Sequence, residues 1–383
     1  MGSGGTPSSS VPQYFGGGIP WVSIADMTSG GKYISQTHKT LSEDGLHASA
    51  AKLYEPDVVL YAMYASLGEC SISVGRVTSS QAILGIKPGA KLDSEFLYYF
   101  LQSIKSRVKT MGQQGTQSNL NAGMVRNFQI PLPRPAVQRK IAKVLADVDL
   151  LISSAERLIA KKQAVKQGMM QQLFGGKTRL PGFSQEWASG PIGGLYIQHR
   201  NPVDPRKSRA TVFQHFSLPA FDAGQSPVLE SGLQIDSIKF SVPSDAILIS
   251  KLNPRIPRIW APAHITDKAI ASTEFVVAVP SDGVDRSFLA YLFQSPAIAS
   301  QMKLLAVGTT GSHARIRPNQ VASLLTRWPA LAEQVAVRRL LADSDAEIAA
   351  LERQLESTRN IKQGMMQELL TGRTRLAPVE ATA

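Results

Sequence analysis

A chain of 383 residues with an ordinary 43% of apolar side chains is long enough for two or three domains, each with its own core. Its single cysteine, Cys70, excludes an internal disulfide, and no apolar run reaches the roughly 18–20 residues needed to cross a bilayer. Forty-one basic against 29 acidic side chains leave a net charge of +12, which favours a polyanionic partner, nucleic acid being the commonest. The first ten residues have neither the basic nor the apolar region of a signal peptide, so a cytoplasmic protein is expected.

In chain order, Gly18–Ile24 and Asp57–Ala62 read as strands bounded by Gly, Pro and Asp, and Phe96–Ser103 as a short amphipathic helix. The loop from Gly112 to Asn121 holds seven amide or hydroxyl side chains in ten residues, a composition suited to reading adenine edges in the major groove. Its candidate DNA contacts are Gln113, Gln114, Thr116, Gln117, Ser118 and Asn119, together with Tyr64 and Ser66 of an earlier loop. Pro133 and Pro135 then precede a long helix that Gly175-Gly176 stops. Its apolar residues Ile141, Leu145, Val148, Ile152, Ala155, Ile159, Met169 and Leu173 follow a 4-3 spacing, interrupted at Lys162 and Lys166.

The same order then returns. Ala246–Ser250 and Glu274–Val279 are strand-like, and Phe288–Ser295 is a second short helix. Lys251, Asn253, Arg255 and Arg258 form a basic loop at the place of Tyr64 and Ser66. Thr309, Thr310, Ser312, His313, Arg315 and Arg317 stand where the first copy has its amide-rich loop. A second heptad helix runs from Val337 through Leu341, Ile348, Leu351 and Leu355 to Leu369, turning polar at Thr358 and Lys362. Both helices weaken at the same point, which suggests fraying there or another contact, for instance a second protein.

The return is a duplication. At an offset of 196, residues 131–180 and 327–376 share 21 identities in 50, ending in KQGMMQQLFGGKTRL and KQGMMQELLTGRTRL. The segments before them match far less well, so one scaffold carries two different surfaces. The expected parts are target-reading domains at 1–133 and 181–329, conserved helices at 134–180 and 330–376, and a tail at 377–383. About 35 residues per helix give a rod of roughly 50 Å, and antiparallel pairing would hold the domains at opposite ends. The first helix segment has ten basic against three acidic side chains, and residues 330–383, its copy with the tail, seven against eight. That difference serves complementary pairing, contact of the first helix with DNA phosphates, or both.

Catalytic constellations are missing from the sequence. Gly175-Gly176-Lys177-Thr178 lacks the earlier glycine of a phosphate-binding loop, and its copy replaces the lysine with Arg373. Asn253-Pro254-Arg255-Ile256 is not the Asn/Asp-Pro-Pro-aromatic loop of adenine methyltransferases, and the six histidines and Cys70 show no metal-ligand spacing. The reading is a non-enzyme; its alternative is a scaffold for a multisubunit assembly that binds no DNA.

Gly115–Asn121, Ile130-Pro131-Leu132-Pro133, the helix end Lys166–Gln171, Gly18–Ile24 and Glu333-Gln334 together resemble the specificity subunit of type I restriction-modification systems, over essentially the whole chain. The resemblance implies an α+β fold, with two target-recognition domains separated by a pair of long antiparallel coiled-coil helices in pseudo-twofold repeat. Each domain would read one half of a bipartite asymmetric site in double-stranded DNA. The helices would set the unread spacer and dock two modification subunits, with restriction subunits completing the complex. No cofactor is implied on this chain; S-adenosylmethionine, ATP and Mg would sit on the partners. In one respect the chain departs from the family, whose first domain usually opens with an extra strand like Trp187–Tyr196 of the second. This sequence begins too late to contain that strand, so the expectation is either a truncated N-terminus or a trimmed first domain.

Overall fold

The computed structural model describes residues 1–113, 119–307 and 314–376, without the side chains of 111–113. The chain divides into two compact units, Met1–Glu156 with Arg353–Ala383, and Arg157–Glu352. Each is α+β, and each contains half of both long helices.

In the first unit five short strands, β1 (Gly2–Ser3), β2 (Tyr33–Ile34), β3 (Val59–Ala62), β4 (Cys70–Ser73) and β5 (Ile83–Ile86), form a sheet in the order β1-β5-β3-β4-β2. All pairs are antiparallel except β2 with β4. A smaller sheet joins Lys39–Leu41, Phe15–Val22 and Thr78–Ser79. The predicted strand at 18–24 ends early, because Ser23 caps a helix over Ile24–Gly30 in a reciprocal capping box with Asp26. β3 to β5 are continuously buried, which is why they read as apolar runs without alternation. Helix α1 (Ser94–Ser103), capped by Asp93, packs Phe96, Tyr99 and Phe100 between that sheet and the long helix α2 (Pro135–Phe174).

The second unit repeats this and adds to it. Strands β6 (Ala188–Pro191), β7 (Tyr196–His199), β8 (Pro202–Val203), β9 (Val212–Phe216), β10 (Val228–Ser231), β11 (Lys239–Ser241), β12 (Ile247–Ser250), β13 (Ile259–Trp260), β14 (Ala269–Ser272), β15 (Phe275–Pro280) and β16 (Leu325–Trp328) make three sheets. Their orders are β7-β15-β12-β13, β8-β11-β14-β9-β10 and β16-β6. The trio β7-β15-β12 matches β1-β5-β3 of the first unit, again antiparallel throughout. Helix α3 (Arg286–Gln294), capped by Asp285, stands at the place of α1, and the long helix α4 (Leu331–Leu369) at the place of α2.

The long helices have 40 and 39 residues, so each is about 60 Å long rather than the expected 50 Å. Pro135 does not precede α2 but begins it, since at a first helical position the missing N–H has no helical partner to lose. Gly176 (φ 67°) and Gly372 (φ 74°) end the helices in the left-handed conformation. Every heptad position named from the sequence is buried or half-buried. The helices run antiparallel, with Lys362 bonded to Asp149 (2.6 Å) and Arg359 to Glu156 (2.7 Å) in the first unit. In the second, Lys166 meets Asp345 (2.5 Å) and Lys162 meets Glu347 (2.7 Å).

These pairs correct the expectation of fraying at the polar positions. Asp149 also accepts from the Tyr99 hydroxyl (2.7 Å) and Asp345 from that of Tyr291 (2.7 Å). Each lysine also lies near the same tyrosine's ring, at 5.8 Å for Lys362 and 5.2 Å for Lys166. A Lys–Asp–Tyr triad therefore fills the seam in both units, its lysines and aspartates 196 residues apart and its tyrosines 192. Burial and the carboxylate push both tyrosine hydroxyls far up, so they stay neutral donors.

Candidate nucleic-acid interface

The loops singled out from the sequence come from separate stretches, and the fold brings them together within each unit. In the second unit the backbone of Lys251 accepts from Ile316 N–H (3.0 Å), and Asn253 N–H donates to Ala314 (2.7 Å). In the first unit Met63 accepts from Leu120 N–H (3.0 Å) in the same way. Leu120 and Ile316 are both buried, 1% exposed, and pin the ends of the two polar loops to the core. Each partner loop also carries one non-glycine residue in the left-handed region, Ala65 (φ 57°) and Asn253 (φ 47°). Such backbone costs about 1–3 kcal/mol and persists where its surroundings hold it. Two unlike sequences thus adopt one strained turn at matching places.

Side-chain chemistry differs between the copies. In the first unit Tyr64 (41% exposed), Ser66 and the exposed Asn119 border the junction. Gln113 ends a helix over Lys105–Gln113, but its side chain, and Gln114, Thr116, Gln117 and Ser118 entirely, lie outside the described residues. So do Thr309, Thr310, Ser312 and His313.

The second unit is the basic one. Arg255 and Arg317 are exposed, and the side chain of neither has an acidic partner among the described residues. By contrast Arg258 is held by both carboxylate oxygens of Asp222 (2.7 and 3.0 Å), and Arg315 by those of Glu274 (3.1 and 3.3 Å). Lys251 is half-buried; burial, with Arg200 and Arg315 nearby, holds its ammonium below the usual lysine range in spite of Glu274. The carbonyl oxygen of the Asn253 side chain is buried without a hydrogen-bond partner. Sequence reasoning missed Asp222, Glu274 and Arg200, which lie far along the chain from the loops they control. Only the packed fold reveals them.

Chemically, this arrangement offers amides, hydroxyls and guanidinium groups on pinned loops, the donors and acceptors that read base edges and phosphates. Among the described residues no three His, Cys, Asp or Glu side chains are placed to hold a metal ion. No helix among them is long and apolar enough to cross a membrane.

Comparison with known proteins gives the geometry a context. Residues 1–163 match the family described as the type I restriction modification DNA specificity domain. The chain is 23% identical to the type I restriction enzyme MjaVIII specificity subunit of Methanocaldococcus jannaschii, over 97% of this chain and 90% of that protein. It is 28% identical to the MjaIX specificity subunit of the same organism, over 41% of this chain and 37% of that one. The latter match therefore spans well under half of its relative's length. Among solved structures, the fold is similar to a chain from a study of complex assembly and conformational transition of the type I R-M system (TM-score 0.59, 18% identity, 97% and 95% of the two chains). It is also similar to the type I restriction-modification S subunit from M. genitalium (TM-score 0.54, 13% identity, 96% and 92%).

Proposed function

We propose that this chain is a specificity subunit of a type I restriction-modification system and chooses the DNA sequence on which its complex acts. Each unit reads one half of a bipartite site in double-stranded DNA through its pinned loop pair. The first uses mainly amides and hydroxyls, the second mainly guanidinium groups. The helices set the unread spacer and, with two modification subunits and restriction subunits, build the complex. Exposed Leu150 and Leu151 on α2, 62% and 63% accessible, are the kind of apolar surface such a partner covers. Methyl transfer and cleavage belong to those partners, as do S-adenosylmethionine, ATP and Mg; this chain supplies recognition.

The observation that carries the reading is the loop junction made twice, Leu120 to Met63 and Ile316 to Lys251, on one backbone geometry with different side chains. A pure assembly scaffold has no need of two unlike polar surfaces on matched turns. The test is a complex in which Gln113, Gln117 and Asn119 are all changed to Ala. Mapping of methylated adenines is expected to show one half-site relaxed and the other intact. An unaltered motif refutes the assignment of that loop. DNA affinity of the intact protein should also fall steeply with salt, which a scaffold without DNA contacts cannot show.

A further inference from the structure

In the second unit the junction of polar loops also presents apolar side chains. Ile256 (57% exposed) stands on one loop and Val307 (64% exposed) on the other. A hydrogen bond from Ile256 N–H to the Asn253 carbonyl (3.0 Å) closes the turn that carries Ile256, between exposed Arg255 and the Arg258 that Asp222 holds. Val307 is fixed by two backbone bonds with Arg315, each 2.9 Å, and Arg315 is bridged on its other side to Leu252. Residues directly opposite in such a ladder present their side chains to one face, so that of Val307 lies beside that of Arg315.

Single exposed aliphatic residues are commonplace on protein surfaces. Here two branched ones occupy both loops of one cationic junction, each next to or opposite an arginine, and the matching turn of the first unit has none. There Tyr64 and Ala65 are exposed, Leu67 is buried, and Gly68 N–H closes the turn on the Ala62 carbonyl (3.1 Å). The two junctions share their pinning backbone bonds, so the aliphatic pair belongs to the surface and not to the fold.

Phosphates and base edges offer donors and acceptors that a branched aliphatic side chain cannot use, and covering them with one leaves polar groups unpaired. In the major groove the apolar exception is the C5-methyl group of thymine. We infer, resting on the DNA-reading role proposed above, that the second unit identifies an A·T pair in its half-site by seating a thymine methyl against Ile256 and Val307. Thymine is thereby separated from cytosine, which lacks that methyl, without a hydrogen bond. The neighbouring guanidinium groups remain for phosphate and guanine.

The probe is a duplex carrying the motif found by mapping methylated adenines, titrated into the full chain by fluorescence anisotropy. The half-site of the second unit is the one left intact when Gln113, Gln117 and Asn119 are changed. Its thymines, on either strand, are replaced one at a time by uracil, which keeps every hydrogen-bonding group and lacks only the methyl. At one position at least, affinity should fall about threefold or more, as for a methyl group lost from an apolar contact. Ile256→Ser or Val307→Ser should bind the thymine duplex more weakly and be indifferent to uracil at that position, whereas Ile256→Val should keep the discrimination. Arg255→Ala, weaker on every duplex, should discriminate as the parent chain does. Both aliphatic positions are exposed, and unchanged thermal melting shows that the serine variants fold. The assignment is overturned by a half-site without an A·T pair, by indifference to uracil at every position, or by a uracil effect undiminished in both serine variants. In each of these cases salt-dependent recognition of the motif still stands. Failure to bind any duplex in a salt-dependent way removes the DNA-reading role itself, and the methyl contact with it.

Discussion

Lys251 is a cation held where a cation is poorly solvated, and its position at the loop junction makes that consequential. Its proton is lost below the ordinary lysine value of 10.5, whereas contact with a phosphate would restore it. Affinity for DNA should then be complete while the free protein keeps that proton and decline as pH rises through the lowered pKa. Anisotropy titrations from neutral to alkaline pH should show this decline, and Lys251→Arg should flatten it; an unchanged profile removes Lys251 from the interface. The sign for folding is opposite. A depressed lysine pKa means that folding releases a proton, so this group's contribution to stability improves as pH rises towards 10.5. The arginines divide in a second way. Arg255→Ala should reduce the slope of log affinity against log salt by about one, as for a lost phosphate contact. Glu274→Gln should steepen it, because Arg315 is then released from its carboxylate.

At the scale of elements, the start of each long helix is fastened by one glutamine. Gln138, 0% exposed, accepts from Asp93 N–H (2.8 Å) and donates to the carbonyls of Lys91 (2.8 Å) and Pro133 (2.7 Å). Gln334 does the same with Asp285, Gly283 and Pro329. Each thereby ties the cap of the short helix to the first turn of the long one. Gln138→Ala removes three hydrogen bonds and strands buried backbone groups, at a cost of roughly 2–4 kcal/mol. Asp345→Asn weakens the bonds to Lys166 and Tyr291 and should cost about 1–3 kcal/mol. Denaturant unfolding of the whole chain measures both, and a loss below about 0.5 kcal/mol for either would show that the contact is not structural. The sequence made the long helices, their stops and their duplication legible, because heptads and glycines are local signals. It also displayed Gln138 and Gln334 as identities while hiding their purpose, since their partners are main-chain atoms. Strand order was not legible, because non-local pairing leaves no trace in a run of apolar residues. Nor was the turn at Ala65, where alanine is a residue that local preference argues against.

For the whole molecule, the duplicated fastenings imply that the scaffold does not distinguish which reading surface it carries. Phe96 and Phe288, both fully buried, sit at matching places under the short helices, and Tyr99 and Tyr291 meet the same triad. A chimaera with residues 2–127 in place of 196–323 keeps the glutamine clamps, the triads and the helix seam, while both loop junctions become those of the first unit. Purified with the modification subunits proposed above, it should direct methylation of a motif made of two copies of the first half-site, read out by mapping methylated adenines. The spacer should stay as it was, since neither long helix changes length. A motif that kept the original second half would mean that recognition lies outside the exchanged loops. Circular dichroism and recovery of the partner subunits separate that outcome from misfolding. The substituted core is the main risk, because β8, β9, β10, β11 and β14 leave with the exchanged segment and take the Trp260 cluster with them. That cluster contains no residue of the long helices, so its loss should leave the fastening of the graft to the scaffold intact.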